Sequence, residues 1–300
     1  HFSSADQITP DNVQRLRIAW THRSGDYHTG TNFLKGFESG DPLQSSWQAT
    51  PILVEDKLVI CTPYNRIIAV DASTGNERWS YKPDIDLNQV MMPRCRGVTQ
   101  WRNPRLLSTA LCSHVVIAPL ADARLIALDA NTGSRCAFGP RAEINLREGL
   151  GPHTLGDYML NTPPAILGNT LITGSSIADN VSIDVPSGVV RAYDLLTGDL
   201  MWAWDPIPGA PPTVNEPKEN EATAYTRGST NVWSYISVDA TLNHVYVPTG
   251  NTSPDYYGGH RDGSDKYSSS VVALNATDGR VIWQFQTVHH DIWDFDVPSQ

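Results

Sequence analysis

Residues 69–79 read AVDASTGNERW, and three later stretches share their frame: ALDANTGSRCAF at 127–138, AYDLLTGDLMW at 192–202 and ALNATDGRVIW at 273–283. Each runs Ala, an apolar residue, Asp or Asn, two variable residues, Thr or Asp, Gly, then a large apolar residue. Self-similarity of this kind marks a repeat architecture. The Asp can hydrogen-bond its own turn, and the Gly supplies the positive φ that a tight connection needs. The Trp four residues past the Gly begins the next strand and packs between neighbouring sheets. The prediction is an all-β fold, a β-propeller with Trp-docking repeats, whose blades bury their faces against one another. A β-sandwich would not explain a repeat tied to Gly and Trp. Copy two has Ala137 where the Trp should stand, flanked by Cys136 and Phe138, so its packing must differ.

Around each copy lie strand-like runs. Lys57–Cys61 precedes Arg66–Val70, His114–Pro119 precedes Arg124–Asp129, and His244–Pro248 precedes Ser269–Asn275. Copies Asp71, Asp129, Asp194 and Asn275 lie farther apart than a compact blade of roughly 40–50 residues, so the excess belongs in loops. Ahead of them, Ile8–Leu16 is a short helix candidate, with Thr9 as cap and Pro10 at the first helical position.

The bulk composition narrows the class. Hydrophobic residues make up 40% and charged residues 18%, which is globular. A net charge of −10 with no Lys/Arg run argues against nucleic acid. No apolar run is long enough to span a membrane. The chain opens on His1 without a signal-peptide pattern, as a mature form, trimmed domain or fragment would. Cys61, Cys95, Cys112 and Cys136 form no CxxC pair, and their three possible pairings cannot be ranked.

Two segments depart from the repeat and are dense in polar groups. Residues 233–254 carry Trp233 and then Thr249-Gly250-Asn251 at a strand end. Residues 289–296 read HHDIWDFD. Strand periodicity would place Asp294 and Asp296 on one side, and paired carboxylates bind Ca²⁺ or act as a general base. His289-His290 is not a zinc spacing. Taken alone, such a cluster reads as a solvated loop, Trp233 as core and Asn251 as a turn residue.

A resemblance changes that weighting. Trp233-x4-Val238-Asp239-x3-Asn243-His244-Val245-Tyr246-Val247-x2-Gly250-x2-Ser253-Pro254 resembles the signature of bacterial quinoprotein dehydrogenases, which use pyrroloquinoline quinone (PQQ), with Val238 where the family usually has Tyr. Phe2-Ser3-x4-Ile8-Thr9-x2-Asn12-Val13-x2-Leu16-Arg17 is similar to the family's other signature. Cys95-Arg96-Gly97-Val98, in place of an adjacent-cysteine pair, and Thr287–Asp294 resemble the membrane-bound glucose and quinate dehydrogenase branch.

The resemblance implies roles by position. Asp294 matches the catalytic base. Trp233 matches the ring on which the quinone stacks. Arg96 and Ser176 match contacts to its carboxylates, and Asn161 or Thr162 a further polar contact. Asn251 matches an amide ligand to the metal, Ca²⁺ or Mg²⁺. Asp179 stands where the alcohol branch has a metal-binding Glu, with Asn180 able to assist and Asp294 completing the set. Asp296 falls where lanthanide-dependent relatives carry an extra carboxylate, but the glucose branch can have Asp there too, so no lanthanide is inferred. The implied reaction oxidises an alcohol, aldose or polyol: Asp294 takes the hydroxyl proton, hydride passes to PQQ, and the metal polarises a quinone carbonyl.

Further expectations follow from the branch. Met92 stands where glucose-type members usually have His, which opens quinate, shikimate or another polyol as substrate. Arg94 could pair with a substrate carboxylate or stand solvated at the surface. The branch implies a bacterial periplasmic location at the inner membrane, with electrons passed to ubiquinone through a membrane anchor outside residues 1–300. The family closes eight blades, so four copies make residues 1–300 part of a single, longer propeller domain whose later blades lie elsewhere. The competing reading is a non-enzymatic propeller scaffold of the outer-membrane assembly type, which has similar Trp repeats.

Overall fold

Why the repeat makes blades is visible in its turns. In the computed structural model, which describes residues 5–26, 45–87, 90, 93–209, 212–213, 224–261 and 263–298, every copy links the third and fourth strands of a four-stranded antiparallel sheet. Asp71 Oδ1 accepts from the backbone N–H groups of Ser73 and Thr74, and Asp129 Oδ1 from those of Asn131 and Thr132. The glycines that follow have φ of 74° at Gly75, 71° at Gly133, 78° at Gly198 and 71° at Gly279. That left-handed conformation is cheap only without a Cβ.

Four sheets result. The first blade holds Ile52–Val54, Lys57–Cys61, Ile67–Asp71 and Glu77–Tyr81. The second holds Thr99–Arg102, His114–Pro119, Arg124–Asp129 and Arg135–Cys136, with Ile144–Asn145 also pairing to its third strand. The third holds Ala165–Leu167, Thr170–Thr173, Val190–Asp194 and Leu200–Trp204, and the fourth Ser237–Asp239, His244–Pro248, Ser270–Asn275 and Val281–Gln286. The sheets do not close on themselves, so the described chain is a partial propeller.

The core lies between blades. Along His114–Pro119, Val116 and Ala118 face the first blade's Val59 and Ala69, while Val115 and Ile117 join the third blade's Leu171 and Tyr193. Successive side chains alternate between faces, and both faces are covered. This is why the central strands read as unbroken apolar runs. A third cluster joins Ile172, Ala192 and Trp202 to Val245 and Val272 across the last interface.

Trp docks the first blade onto the second and the third onto the fourth. Trp79 donates from Nε1 to the Ala130 carbonyl at 3.1 Å, and Trp202 to that of Ala276 at 2.9 Å. A Cβ on Gly133 would meet the Trp79 ring at 2.7 Å, and one on Gly279 the Trp202 ring at 2.6 Å. The glycine thus serves twice, for its turn and for the face it leaves to the preceding ring. Trp20 docks in the same way, donating to Ala72 at 3.1 Å with its ring against Gly75. It has no glycine turn before it, so the repeat did not reveal it.

Copy two departs as expected. Phe138 replaces the ring in the core, its backbone bridges to Arg141, and Cys136 bonds Cys112. The other disulfide joins Cys61 to Cys95, which settles the pairing left open by the sequence. The helix expected over Ile8–Leu16 is a correction: only a 3₁₀ turn at Val13–Arg15 forms. Thr9 does not cap it, because the Asn12 side chain turns back to accept from the Thr9 N–H at 2.8 Å. Among the described residues no helix is long and apolar enough to cross a membrane.

Replacing Trp202 by Ala removes a fully buried ring and its hydrogen bond, and should destabilise the 300-residue chain by about 3–5 kcal/mol. Trp283, at the same place in the last copy, is 43% exposed, so Trp283→Ala should cost under about 1 kcal/mol. Urea unfolding of the two variants checks the contrast. Equal losses would mean that burial between blades is not what the repeat Trp contributes.

Candidate active site

Three segments meet where the fourth blade departs from the repeat frame. Residues 229–233 run beside 249–251: the Gly250 N–H donates to the Asn231 carbonyl at 2.8 Å, and Thr230 Oγ1 to the Gly250 carbonyl at 2.5 Å. Residues 291–298 lie over both, with the Val297 N–H on the Thr249 carbonyl at 3.1 Å and Ser234 Oγ on that of Pro298 at 2.5 Å. Gly250 sits at the crossing. A Cβ there would meet Asn231 Oδ1 at 2.5 Å and Asp296 Oδ1 at 3.0 Å.

Trp233 is half-buried, and its ring is held in place. Its Nε1 donates to Asp296 Oδ2 at 2.8 Å, while Asp296 Oδ1 accepts from the Asn251 backbone N–H at 2.6 Å. The Arg96 guanidinium carbon lies 4.9 Å from the ring centroid, within cation–π range. Arg96 also donates to Asn161 Oδ1, and Thr162 Oγ1 to the Trp233 carbonyl at 2.5 Å. Asn161, Thr162 and Ser176 line one narrow cleft with Trp233. All five residues expected to contact a cofactor are therefore neighbours, although they come from three blades and their connections.

Asp294 and Asp296 correct one expectation. They do not lie on a strand: their φ angles are 60° and 45°. Asp291, fully buried, shapes this turn by accepting from the N–H groups of Trp293 at 3.0 Å and Phe295 at 2.9 Å and from Ser269 Oγ at 2.7 Å. Strained backbone held by buried polar contacts is common at functional sites. Asp294 is half-buried and accepts from the Tyr256 hydroxyl at 3.1 Å.

The carboxylates share one field. Burial, then Asp296 and Asp294, push Asp179 up to about 7. Burial, then Asp179, Asp294 and Asp296, push Asp255 up to about 8. Asp296 is pushed up to about 6, by burial first and then by Asp294, although its bond from Trp233 opposes this. Clustered carboxylates out of water hold protons unless a cation answers them.

The remaining expected ligands are placed unevenly. Asn231 Nδ2 donates to Asp179 Oδ2 at 3.3 Å, whereas Asn180 is exposed. Asn251 is fully buried, and its Oδ1 accepts from Arg261 Nη1 at 3.1 Å and Ser268 Oγ at 3.0 Å. Its Nδ2 donates to the carbonyls of Asp255 and Asp291. Among the described residues, the one trio of ligand atoms within 4.8 Å of one another is Cys112, Asp129 and Cys136. Two of these form a disulfide, so that trio is no metal centre.

The polar atoms left over describe what the site lacks. Both oxygens of buried Asp255 have no hydrogen-bond partner, and neither have Asn161 Nδ2, Ser175 Oγ and Asn231 Oδ1. Unpaired acceptors among mutually repelling carboxylates suit a hard cation. Unpaired donors beside an aromatic floor and a guanidinium suit a flat, anionic ring. The donor chemistry of the residues present thus suits both a divalent cation and PQQ.

The family described as PQQ: Glucose/ethanol/alcohol dehydrogenase, beta-propeller domain, matches residues 1–300. The chain belongs to this family. A quinate/shikimate dehydrogenase (quinone) of Acinetobacter baylyi is 41% identical over 100% of this chain and 37% of its own length. A quinoprotein glucose dehydrogenase of Escherichia coli is 37% identical over 100% of this chain and 37% of its own length. The chain thus spans little more than a third of these relatives. The crystal structure of a quinohemoprotein alcohol dehydrogenase from Comamonas testosteroni aligns at a TM-score of 0.64 and 30% identity, covering 84% of this chain and 36% of that one. A europium-containing methanol dehydrogenase aligns at 0.70 over 99% of this chain and 48% of that one; at 21% identity it speaks for the fold alone. Membership of the family sets aside the scaffold alternative.

Several residues of the site escaped the sequence reading. Asp255 directly follows the signature's Ser253-Pro254, and Asn231 precedes Trp233 by two, so both had a positional signal. Arg261 had none, because it reaches Asn251 only through the folded loop. Met92 lies outside the described residues.

The raised carboxylates have a consequence for stability. Asp255 titrates near 3.8 when unfolded and near 8 when folded, so the folded state holds its proton longer. Its contribution is fully present below the lower value and is lost as pH rises through the upper one. Without divalent cations, stability should fall between pH 4 and 8, and Asp255→Asn should flatten that fall. Urea midpoints across this range check it; parallel curves for the two proteins would refute it.

Proposed function

We propose that the full-length protein carrying this chain is a PQQ-dependent dehydrogenase of a polyol, aldose or cyclic hydroxy acid. The observation that carries the reading is Trp233, held edge-on by Asp296 beside a carboxylate cluster that includes Asp294. Bound PQQ supplies the hydride acceptor. Trp233 offers it a flat floor that fixes orientation and excludes water. Ser176, Asn161 and Thr162 line the cleft beside that floor, Arg96 lies against the Trp233 ring, and all four are assigned to the polar and carboxylate groups of PQQ.

Asp294 is assigned as the base that takes the substrate's hydroxyl proton. The Tyr256 hydroxyl steadies the oxygen it would use; a cation held by the neighbouring carboxylates would supply Lewis-acid chemistry beside it. Asp179, Asp294 and Asn251 are the assigned metal ligands, with Asn180 beside them and Asp255 as an added candidate. For Asn251 to ligate, its Oδ1 must leave Arg261 and Ser268. Ca²⁺ or Mg²⁺ suits such an all-oxygen set.

The wider assignments follow the relatives. Residues 1–300 are read as part of one longer propeller domain, a reading supported by the uncovered Ile282, Trp283 and Phe285 of the fourth blade. A periplasmic place at the inner membrane and transfer of electrons to ubiquinone are proposed with it. Two disulfides suit an oxidising compartment.

With the full-length protein, PQQ and Ca²⁺, Asp294→Asn should lower kcat by about 10²–10⁴-fold while PQQ still binds. Near-normal turnover would remove Asp294 as the base. Trp233→Ala should weaken PQQ binding at least about tenfold; a PQQ titration giving unchanged affinity would end the stacking assignment.

A further inference from the structure

One buried amide of the site has its oxygen end unused. Asn231 lies two residues before Trp233 and is fully buried. Its backbone is fixed from two sides. A Cβ on Gly188 would meet the Asn231 Cα at 2.5 Å, and the Gly250 N–H donates to the Asn231 carbonyl at 2.8 Å. Chemistry orients the side chain: Nδ2 donates to Asp179 Oδ2 at 3.3 Å, and a carboxylate accepts only from the nitrogen end of an amide. The other end is therefore Oδ1, which has no hydrogen-bond partner among the described residues. A buried acceptor left in this state is costly.

What Oδ1 faces is set by a glycine. A Cβ on Gly250 would lie 2.5 Å from Asn231 Oδ1, 3.0 Å from Asp296 Oδ1 and 3.3 Å from Trp233 Cδ1. These three atoms border one small space, left free because residue 250 has no side chain. An amide oxygen and a carboxylate oxygen thus meet beside the edge of the aromatic floor. Asp179, at the nitrogen end of the same amide, brings a second carboxylate. A hard divalent cation takes carboxylate and amide oxygens together. Asn251 is less available as the source of an amide oxygen. Its Oδ1 accepts from the Thr252 N–H at 2.9 Å, Ser268 Oγ at 3.0 Å and Arg261 Nη1 at 3.1 Å, and the last of these donors is itself a cation.

We propose that Asn231 Oδ1 is an amide ligand of the site's cation, acting with Asp179 and Asp296 at the space beside Gly250. The inference rests on the PQQ-dehydrogenase reading and adds to it a ligand that needs no rearrangement, whereas Asn251 ligates only by giving up its bonds to Arg261 and Ser268. Because the same space borders the Trp233 ring, a polar group of PQQ is the competing occupant, and the experiment separates the two.

The test titrates Ca²⁺ by calorimetry into the full-length protein, stripped of divalent cations and held at saturating PQQ. Asn231→Ala should raise the Ca²⁺ dissociation constant at least about tenfold. Asn231→Asp keeps an oxygen in place but loses the N–H that Asp179 accepts, and it should bind Ca²⁺ at least as tightly as wild type. PQQ titrated at saturating Ca²⁺, followed by tryptophan fluorescence, should give dissociation constants within about threefold of wild type for both variants. Weaker Ca²⁺ binding by Asn231→Asp overturns the proposal, because Asn231 then acts only through Asp179; this variant decides alone if Asn231→Ala does not fold. Unchanged Ca²⁺ affinity in Asn231→Ala overturns it as well. So does a loss of PQQ affinity as large as the loss of Ca²⁺ affinity, which assigns Asn231 to the cofactor. A wild type that binds PQQ and Ca²⁺ beside unaffected variants leaves the dehydrogenase reading intact, whereas a wild type that binds no PQQ ends that reading and this inference with it.

Discussion

A tryptophan ring laid flat on a glycine is the contact from which the rest of this molecule follows. The ring needs a surface without a Cβ, and the turn needs a residue with positive φ; one glycine answers both. Because the indole N–H also finds a carbonyl in the next blade, the contact fixes distance and rotation together. The central strands of the blades are apolar on both faces, so a blade needs its neighbours to bury them. The cleft inherits that constraint. Arg96, Asn161 and Trp233 come from different blades or their connections, and they meet only because the blades are set at a defined angle.

How much of this was legible depended on the reach of each interaction. The Gly and Trp frame is local, so it could be read directly, and copy two announced its own exception through Ala137. Trp20 was missed because its docking partner is the first blade's Gly75 while no turn motif precedes it. The helix over Ile8–Leu16 failed because Asn12 has a competing partner in the Thr9 N–H, and propensity alone does not weigh such a partner. The cysteine pairing was undetermined because it depends on which strands become neighbours.

The site divides along the same line. Trp233, Arg96, Asn161 and Asp294 carried a resemblance in their order along the chain. Asp255 and Arg261 belong to a loop whose contacts exist only once it folds back on Asn251. The direction of Asp294 and Asp296 was misjudged for a related reason. Strand alternation assumes extended backbone, and buried Asp291 replaces it with a turn in which both residues adopt left-handed φ. The two carboxylates still reach one cluster, by a different route.

The Cys61–Cys95 bond joins an inner strand of the first blade, Lys57–Cys61, to the two-residue strand Arg94–Cys95. The neighbours of Cys95 in sequence are Arg94 and Arg96, and the second of these lies against the Trp233 ring. The chain just past Cys95 is held by hydrogen bonds as well: the Arg96 N–H donates to the Asn161 carbonyl at 2.7 Å, and the Arg96 carbonyl accepts from the Thr50 N–H at 3.0 Å and the Tyr235 hydroxyl at 2.7 Å. The place of Arg96 beside Trp233 is thus fixed by a covalent link together with hydrogen bonds, and translation supplies only the latter's groups. That link forms only by oxidation after synthesis, whereas the carboxylate cluster is shaped by hydrogen bonds such as those that Asp291 accepts.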